Sequence, residues 1–325
     1  MLYRFSVYII IIFLETYLKD KSSFNVMKRK VAQIGPATLM VSLPSGWVKR
    51  CNIKKGEEID IEERGKQLLI STTKPTLLHK TVINLENADE RTVRWSISAL
   101  HKSGYDQIEI LYNDPVVPSI LEELIKDLLT GFIITSQTKT SCILKSIIHE
   151  KQEEFDTTLR RAFLVTLSLS KDSLEACKTK KFNILKKIKN LEKTNNQLTN
   201  FCERLLNLFG YSNFKKNFFM YAILWNLEKV ADEYKYLCNY LEESKKINPE
   251  TLIFYEQVND FLEQYYKLFY KFSLPKLNEL YLQKKVLEAK VSEEYKDAPV
   301  VHYLLSIVEK ISDFSASFVG LYQDQ

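Results

Sequence analysis

Glycine and proline are scarce in this chain, with only 8 of each among 325 residues. Both residues interrupt helices, so their scarcity favours a largely helical protein. The 5 cysteines are scattered without a CxxC pair, and the 4 histidines are isolated in the sequence. This leaves a zinc finger, a disulfide framework and a redox dithiol without support, and a reducing cytoplasm is the expected location.

The apolar stretch at the N-terminus is too short to span a bilayer. It reads FSVYIIIIFL at residues 5–14, and no small-residue cleavage site follows it. Because Met27 begins a stretch typical of a natural protein start, we interpret residues 1–26 as an extension outside any domain. The alternative is a short anchor at the membrane interface. Stable membrane insertion is not expected in either case.

Enzyme signatures are missing as well. The chain has no glycine-rich phosphate loop, no nucleophile elbow and no cofactor fingerprint. The sequence therefore predicts a protein that is not an enzyme. A metal-dependent phosphohydrolase is conceivable from carboxylates alone, and turnover assays test it.

Residues 27–74 have the pattern of a small β domain. Ten Lys or Arg stand against five acids here, and short alternating segments are separated by turns. The pattern predicts strands at 30–34, 38–43, 58–63 and 67–71, with one or two helical turns that begin at Pro44. About 47 residues are too few to bury a sound core, so we expect the domain to form a dimer.

The segments KRKVAQIG, TLMVSLPSGWV and IKKGEEIDIE make this domain resemble the AbrB/SpoVT/MazE swapped-hairpin family. The resemblance implies a homodimer of interleaved hairpins that binds DNA. The basic residues that it marks as phosphate contacts are Lys28, Arg29, Lys30, Lys49 and Arg50. Lysine and arginine neutralise phosphates, and arginine also reads guanine edges. The alternative is a dimerisation module with an ordinary basic surface.

The pattern of residues 75–148 predicts a small α/β linker domain. Its expected elements are strands at 81–85, 107–112, 132–135 and 141–147 and helices at 88–103 and 118–129. Gly104 and Gly131 stand where the two helices end. A spacer or regulatory role is the simplest interpretation of this domain.

The pattern of residues 149–325 predicts an all-α bundle. The expected helices span 149–178, 183–209, 214–244, 249–272, 275–291 and 296–322. The third and sixth helices repeat one pattern: Glu228 and Asp232 are echoed 81 residues later (309 − 228) by Glu309 and Asp313. Six helices with this echo predict two three-helix repeats, and the whole chain is thus a multidomain α+β protein.

Each acidic pair lies on one helix face, with Cβ atoms about 5–6 Å apart. Apolar residues at helical spacing flank both pairs, so an unpaired charge there is costly and a cationic partner is expected. One candidate partner is a metal ion. The alternative is a Lys or Arg at the bundle surface, although Lys229 and Lys310 are expected to point elsewhere on their helices.

The two ExxxD motifs, Glu228–Asp232 and Glu309–Asp313, and the six-helix pattern resemble the PhoU family of phosphate-uptake regulators. An AbrB-like domain ahead of a PhoU-like domain further resembles an archaeal regulator architecture. The resemblance implies that these four acids bind metal ions, as iron, zinc or magnesium. Spacing alone suggests weaker additional ligands at Glu192, Asn196, Glu279 and Gln283.

The expected function is a cytoplasmic, dimeric, DNA-binding transcriptional regulator of phosphate uptake, with a bundle that binds metal ions and partner proteins. The alternative is a PhoU-like adaptor. Such an adaptor contacts a phosphate ABC transporter or its signalling kinase, and its AbrB-like part serves only as a dimer clamp. DNA binding separates the two interpretations.

Overall fold

The chain divides into two units, residues 1–77 and residues 78–325. The computed structural model describes residues 28–64, 66–72, 78–148, 150–211, 214–290 and 298–322. The predicted N-terminal extension, residues 1–26, lies outside the described residues. Small sheets and long helices together make the protein mixed α+β, as the sequence predicts.

Two antiparallel hairpins and one short helix make up the described part of the first unit. Strand β1 (Ala32–Gln33) pairs with β2 (Leu39–Met40), and β3 (Asp60–Arg64) pairs with β4 (Gln67–Ser71). Helix α1 (Ser45–Arg50) follows Pro44, as predicted. The first two strands are shorter than expected, because residues 35–37 form a bend and residues 41–44 lie outside the β ladder.

The second unit begins with a four-stranded sheet. Strands β5 (Lys80–Asn84), β6 (Gln107–Leu111), β7 (Phe132–Gln137) and β8 (Ser141–Ser146) lie in the order β5-β6-β8-β7. Strands β5 and β6 are parallel, and the other pairs are antiparallel. The parallel pair requires a crossover, which helix α2 (Glu90–Lys102) provides.

Helix α3 (Val117–Asp127) connects β6 to β7. The sheet and its two helices enclose one core, whose buried residues include Val93, Ile97, Ile110, Leu121 and Leu144. Gly104, at φ 86°, follows α2 in the left-handed conformation that an L-residue rarely adopts. The predicted helix end at this glycine is confirmed.

The rest of the second unit is a helical bundle. Its helices are α4 (Glu154–Lys178), α5 (Leu185–Ile188), α6 (Leu191–Phe209), α7 (Phe214–Ser244), α8 (Pro249–Tyr270), α9 (Leu274–Ala289), α10 (Ala298–Ser312) and α11 (Phe314–Tyr322). A large apolar core runs through the bundle, separate from the core of the sheet. Among the described residues, no helix combines the length and apolarity that a bilayer span requires.

Two helices that the sequence predicts as continuous are interrupted. The predicted helix 183–209 is a 3-10 turn (Phe182–Ile184), the short α5 and then α6. The predicted helix 296–322 turns at Asp313, between α10 and α11. The Ser312 hydroxyl bonds the Glu309 carbonyl at 2.7 Å and competes with the backbone at that point.

Candidate functional site

The five basic residues predicted to contact DNA are all exposed. Lys28, Arg29 and Lys30 precede β1, and Lys49 and Arg50 form the last turn of α1. Positive charge at a helix C-terminus is favourable because the helix dipole is negative there. The arrangement leaves these side chains accessible to an anionic surface.

Helix α7 positions the first acidic pair. Its apolar residues Leu224, Leu227 and Val230 are fully buried in the bundle core. Glu228 and Asp232 lie at the edge of this stripe, and their side chains are only 19% and 16% exposed. Two half-buried carboxylates on one face need cationic partners, as the sequence indicates.

Lysines supply those partners. Lys229 Nζ lies 3.4 Å from Glu228 Oε1 and 3.2 Å from Asp232 Oδ2, and Lys235 Nζ lies 2.7 Å from Asp232 Oδ1. The expectation that Lys229 points elsewhere on the helix is wrong. Its long, flexible side chain folds over the Trp225 ring and back to both acids, which are neighbours on the helix surface.

Two of the weaker predicted ligands join the same group from α6. Lys235 Nζ lies 2.7 Å from Glu192 Oε1, and Asn196 Nδ2 donates to the same oxygen at 2.6 Å. The structure therefore brings Glu192 and Asp232 together around one ammonium group, and Asn196 joins them through its hydrogen bond to Glu192. The helical spacing of Glu192 and Asn196 was a correct guide to their shared face.

The ionisation of this group follows from burial and charge. Burial would lower the pKa of Lys235, but its hydrogen bonds to Asp232 and Glu192 raise it above its ordinary value. Burial would raise the pKa of Asp232, but Lys235 and Lys229 hold it below its ordinary value. For Glu192, burial is the larger effect and raises the pKa despite Lys235. The pKa shifts of Lys235 and Asp232 therefore favour their charged forms, whereas that of Glu192 favours its neutral form.

A second ion pair extends the group toward the sheet. Lys102, at the end of α2, lies 2.7 Å from Glu203 Oε2 on α6, and the Glu203 side chain is fully buried. Burial would lower the pKa of Lys102, but Glu203 and then Glu228 raise it. Burial raises the pKa of Glu203, against the effect of Lys102. The raised pKa of Lys102 favours its charged form, whereas the raised pKa of Glu203 favours its neutral form.

Seven side chains thus alternate in charge across α2, α6 and α7. This lysine–carboxylate network consists of Glu203, Lys102, Glu228, Lys229, Asp232, Lys235 and Glu192. Its four carboxylates and three lysines carry a net charge of −1. Lys102, Glu203 and Lys235 are absent from the sequence-based predictions. The signal that points to Glu203 is a polar row at helical spacing on α6, inside an otherwise apolar face.

A cleft opens beside the network. It lies between α2 and α3 on one side and α6 and α7 on the other, and its volume is about 580 Å³. Glu192, Asn196 and Glu228 line it, together with Asn200 and Lys235. At its rim, Arg94 pairs with Glu123 and Lys193 pairs with Asp127 at 2.7 Å. Three of the predicted site residues therefore face one shared space.

Among the described residues, no donor reaches the amide oxygen Oδ1 of Asn196 in the cleft wall. Asn200 is 2% exposed, and its Nδ2 lies 2.9 Å from the Ser98 hydroxyl on α2. A buried acceptor without a donor is costly, and native structures contain few of them.

The second acidic pair has different surroundings. Glu309 and Asp313 are exposed, because α10 turns Val308 and Ile311 toward the core. Lys310 reaches Glu233 at 2.9 Å instead of either predicted acid. The expected equivalence of the two pairs is not seen in their environments.

The weaker ligands predicted for the second pair also lie apart from it. Glu279 is exposed and pairs with Lys276 at 2.8 Å. Gln283 accepts a hydrogen bond from Gln264 at 3.1 Å. No contact between these side chains and Glu309 or Asp313 is seen in the described part of the chain.

The ligand atoms that the structure offers decide which metal ion could bind. Within the described ranges, no three His, Cys, Asp or Glu side chains are grouped as a metal site. The group around Asp232 offers only carboxylate and amide oxygens, which suit a hard cation such as Mg²⁺ better than zinc or an iron cluster. Lysine ammonium groups contact these acids in the structure. Metal binding therefore stays a prediction, with magnesium the best fit.

Arg204 fixes the sheet to the bundle next to the network. Its guanidinium is fully buried and donates to the carbonyls of His101 and Tyr105 at 3.0 and 2.8 Å. It also pairs with Asp106 at 2.9 Å and Glu150 at 2.8 Å. This buried arginine holds the end of α2, and hence Lys102, against α6.

No protein-family model, curated protein or solved structure matches this chain. The resemblances to the AbrB-like and PhoU families thus rest on the sequence motifs alone.

Proposed function

We propose that this protein is a cytoplasmic, homodimeric regulator of phosphate uptake with an AbrB-like DNA-binding unit and a PhoU-like helical bundle. The bundle binds a cation and partner proteins, and its state controls DNA binding. The mechanism is linkage: a ligand that prefers one bundle conformation shifts the population of the dimer toward it. The sequence motifs support the family assignment, and one structural observation supports the dimer.

That observation is the exposed apolar surface of the first unit. None of its residues with described burial is buried, and Leu39 and Leu68 are 69% and 65% exposed. Val31, Ile34 and Ile61 are exposed in the same strands and turns. Exposed apolar residues on a small β unit without a buried core of its own support an interface with a partner, because a unit of this size rarely forms a stable core alone.

A second copy of the unit is the partner that the sequence predicts. We expect Leu68→Lys to convert a dimer to a monomer, because it places a charge in the apolar surface. Light scattering coupled to size-exclusion chromatography measures the mass. Val116→Lys is the matched control, since Val116 is an exposed apolar residue of the second unit. A wild-type monomer, or a Leu68→Lys dimer, contradicts the proposal.

DNA binding is tested by fluorescence anisotropy with duplexes, including the protein's own promoter, across a salt series. Each phosphate contact contributes about −0.9 to the slope of log affinity against log salt. The double variant Lys49→Gln, Arg50→Gln is expected to reduce the slope by about 1.8 if both residues contact phosphate.

The control is Lys54→Gln, Lys55→Gln, which removes the same charge from exposed positions of the same unit. We expect it to bind with nearly the wild-type slope. Wild-type protein without salt-dependent binding to any duplex would rule out the DNA role. The adaptor interpretation, with contact to a phosphate transporter or its signalling kinase, would then remain.

A further inference from the structure

The four-stranded sheet of the second unit has one regular outer edge. Its strand order is β5-β6-β8-β7, so β5 and β7 are the two outer strands. Strand β7 has an irregularity between Ile134 and Ser136, and such bulges disfavour pairing with a further strand. Strand β5 pairs with β6 in an unbroken register and contains no proline. Within the described sheet, β5 is therefore the edge better suited to accept another strand.

The backbone of β5 shows which residues face that edge. The Leu85 N–H donates to a carbonyl of β6 at 2.7 Å, and the His79 carbonyl accepts from residues at the start of β6. Odd-numbered residues therefore direct their backbone groups toward β6. Because backbone groups of successive residues point to opposite sides of a strand, those of Lys80, Val82 and Asn84 point outward. In the described part of the chain no strand pairs with them.

The side chains of the same three residues are exposed on one face of the sheet. Val82 is 60% exposed at the centre of the strand, between Lys80 and Asn84. On the other face, Ile83 packs against the core of the sheet. A β-branched residue is favourable in a strand because it packs against its neighbours on both sides. Val82 has Glu109 of β6 beside it on one side, and no strand of the described residues on the other.

A second copy of β5 fits this edge best when a two-fold axis passes beside Val82. The strands are then antiparallel, and Val82 lies opposite the partner's Val82. Lys80 lies opposite the partner's Asn84, so no two lysines face each other directly. Since all three residues direct N–H and C=O outward, each opposite pair exchanges both bonds, and about six hydrogen bonds form. The edge is therefore complementary to itself in backbone, apolar packing and charge.

The small size of this edge means that the pairing depends on a second contact. A pair of five-residue strands falls short of the roughly 1,000 Å² that a stable interface buries. Strand β5 begins nine residues after β4 ends (80 − 71), so a dimer formed by the first unit keeps two copies of β5 in one assembly. This tether raises their effective concentration, which makes a weak contact sufficient.

We propose that β5 is a second dimer contact, which joins the four-stranded sheets of two copies into one continuous sheet by antiparallel pairing about Val82. This inference rests on the proposed homodimer and adds an interface in the second unit, together with its register. Arg204 fixes each sheet to its own bundle, so the pairing also fixes the two bundles relative to each other. A change in one bundle then reaches the other through the joined sheets.

Cysteine cross-linking of the full chain tests the contact. The background variant is Cys51→Ser, because the other four native cysteines are buried. Val82→Cys should form a covalent dimer under mild oxidation, since the Cα atoms of a hydrogen-bonded pair are about 5.5 Å apart, within disulfide range. Ile133→Cys is the matched control, because Ile133 is an exposed β-branched residue of the other outer strand. It should cross-link at least about tenfold more slowly.

The register has its own test. Co-expressed Lys80→Cys and Asn84→Cys chains should cross-link to each other, whereas either chain alone should not, because the antiparallel register places these positions opposite. Equal cross-linking of all the variants, Ile133→Cys included, would reflect random collision and overturn the proposal. A protein that is a dimer by light scattering but whose Val82→Cys variant does not cross-link would refute the β5 contact alone. A wild-type monomer would instead refute the proposed homodimer.

Hydrogen exchange of the wild-type protein, followed by NMR, needs no new side chain at the edge. The Ile83 N–H faces β6 and should be protected in either case, whereas the Val82 and Asn84 N–H groups are protected only if a strand covers the edge. We expect both to exchange at least about tenfold faster in Leu68→Lys, which separates the tethered copies. Fast exchange of Val82 in a wild-type dimer would refute the pairing. Protection that persists in a Leu68→Lys monomer would assign the edge to a strand of the same chain and equally overturn the proposal.

Discussion

Replacement of Arg204 by methionine is the sharpest test of how the sheet is held to the bundle. The guanidinium is fully buried and joins α6 to the turn between α2 and β6. Methionine has a similar length but offers no donor. The change therefore leaves the packing volume nearly intact and removes the polar contacts.

The cost can be worked out from the contacts that are lost. Glu150 is 8% exposed and would lose an ion pair of 2.8 Å, and removal of one partner of a buried pair costs about 3–5 kcal/mol. Asp106 is 22% exposed and also accepts from the His79 backbone N–H at 2.9 Å, which offsets part of its loss. We expect a total of about 4 kcal/mol, or roughly 8–16 °C in Tm for a unit of this size.

The assay is urea unfolding of the full chain, followed by fluorescence of Trp95 and Trp225 in the second unit. Arg204→Lys keeps the charge but loses the planar fork, so an intermediate loss is expected. Arg94→Met is the control, because its partners Glu90 and Glu123 are exposed and such pairs contribute about 1 kcal/mol or less. A loss below about 1 kcal/mol for Arg204→Met would refute the reasoning.

Two further predictions concern the sheet. His101 is buried, and burial followed by the charge of Arg204 lowers its pKa from 6.5 to about 3. Between these values the unfolded chain binds a proton that the folded one does not, so wild-type stability falls as pH falls, by about 1.4 kcal/mol per unit. In urea titrations at pH 6 and pH 5 (about one unit apart), His101→Phe should lose this fall in the free energy of unfolding. If wild type and His101→Phe show the same change between the two pH values, the native histidine is protonated and the prediction is wrong. Gly131 has φ 79°, and an added Cβ would lie 2.4 Å from Ile148 Cδ1. Gly131→Ala should therefore lower the free energy of unfolding by about 1–3 kcal/mol, and a neutral result in thermal unfolding would contradict it.

Local signals explain most of the elements that the sequence predicted. Helix α7 spans Phe214–Ser244 as predicted, because its apolar residues recur at helical spacing over the whole range. Strand β4 spans Gln67–Ser71, and Pro249 begins α8 at the expected residue. In each case the residues that set the bounds of the element lie within it or next to it, so the sequence alone is sufficient to predict those bounds.

The network could be predicted only in part, because its contacts join residues far apart in the chain. Glu203 and Lys102 meet across 101 residues (203 − 102). The polar row on α6 can single out Glu203, but nothing local to α6 identifies Lys102 as its partner. Lys229 was misplaced for another reason. A helical wheel places the Cβ atom, but the four-carbon stem of lysine lets its head reach acids on the next face.

The contrast between the two acidic pairs shows where the asymmetry of the bundle originates. Glu228 and Glu309 occupy matching places in their motifs, yet one lines a cleft and the other is exposed. The difference lies outside the helical repeat: α2 packs against α6, and Arg204 fixes it there, so that Lys102 reaches Glu203 beside Glu228. In the described residues no sheet covers the second pair in this way. The two helices that pack on the sheet therefore make only the first of two matching motifs part of a cleft, which a repeat in sequence cannot indicate.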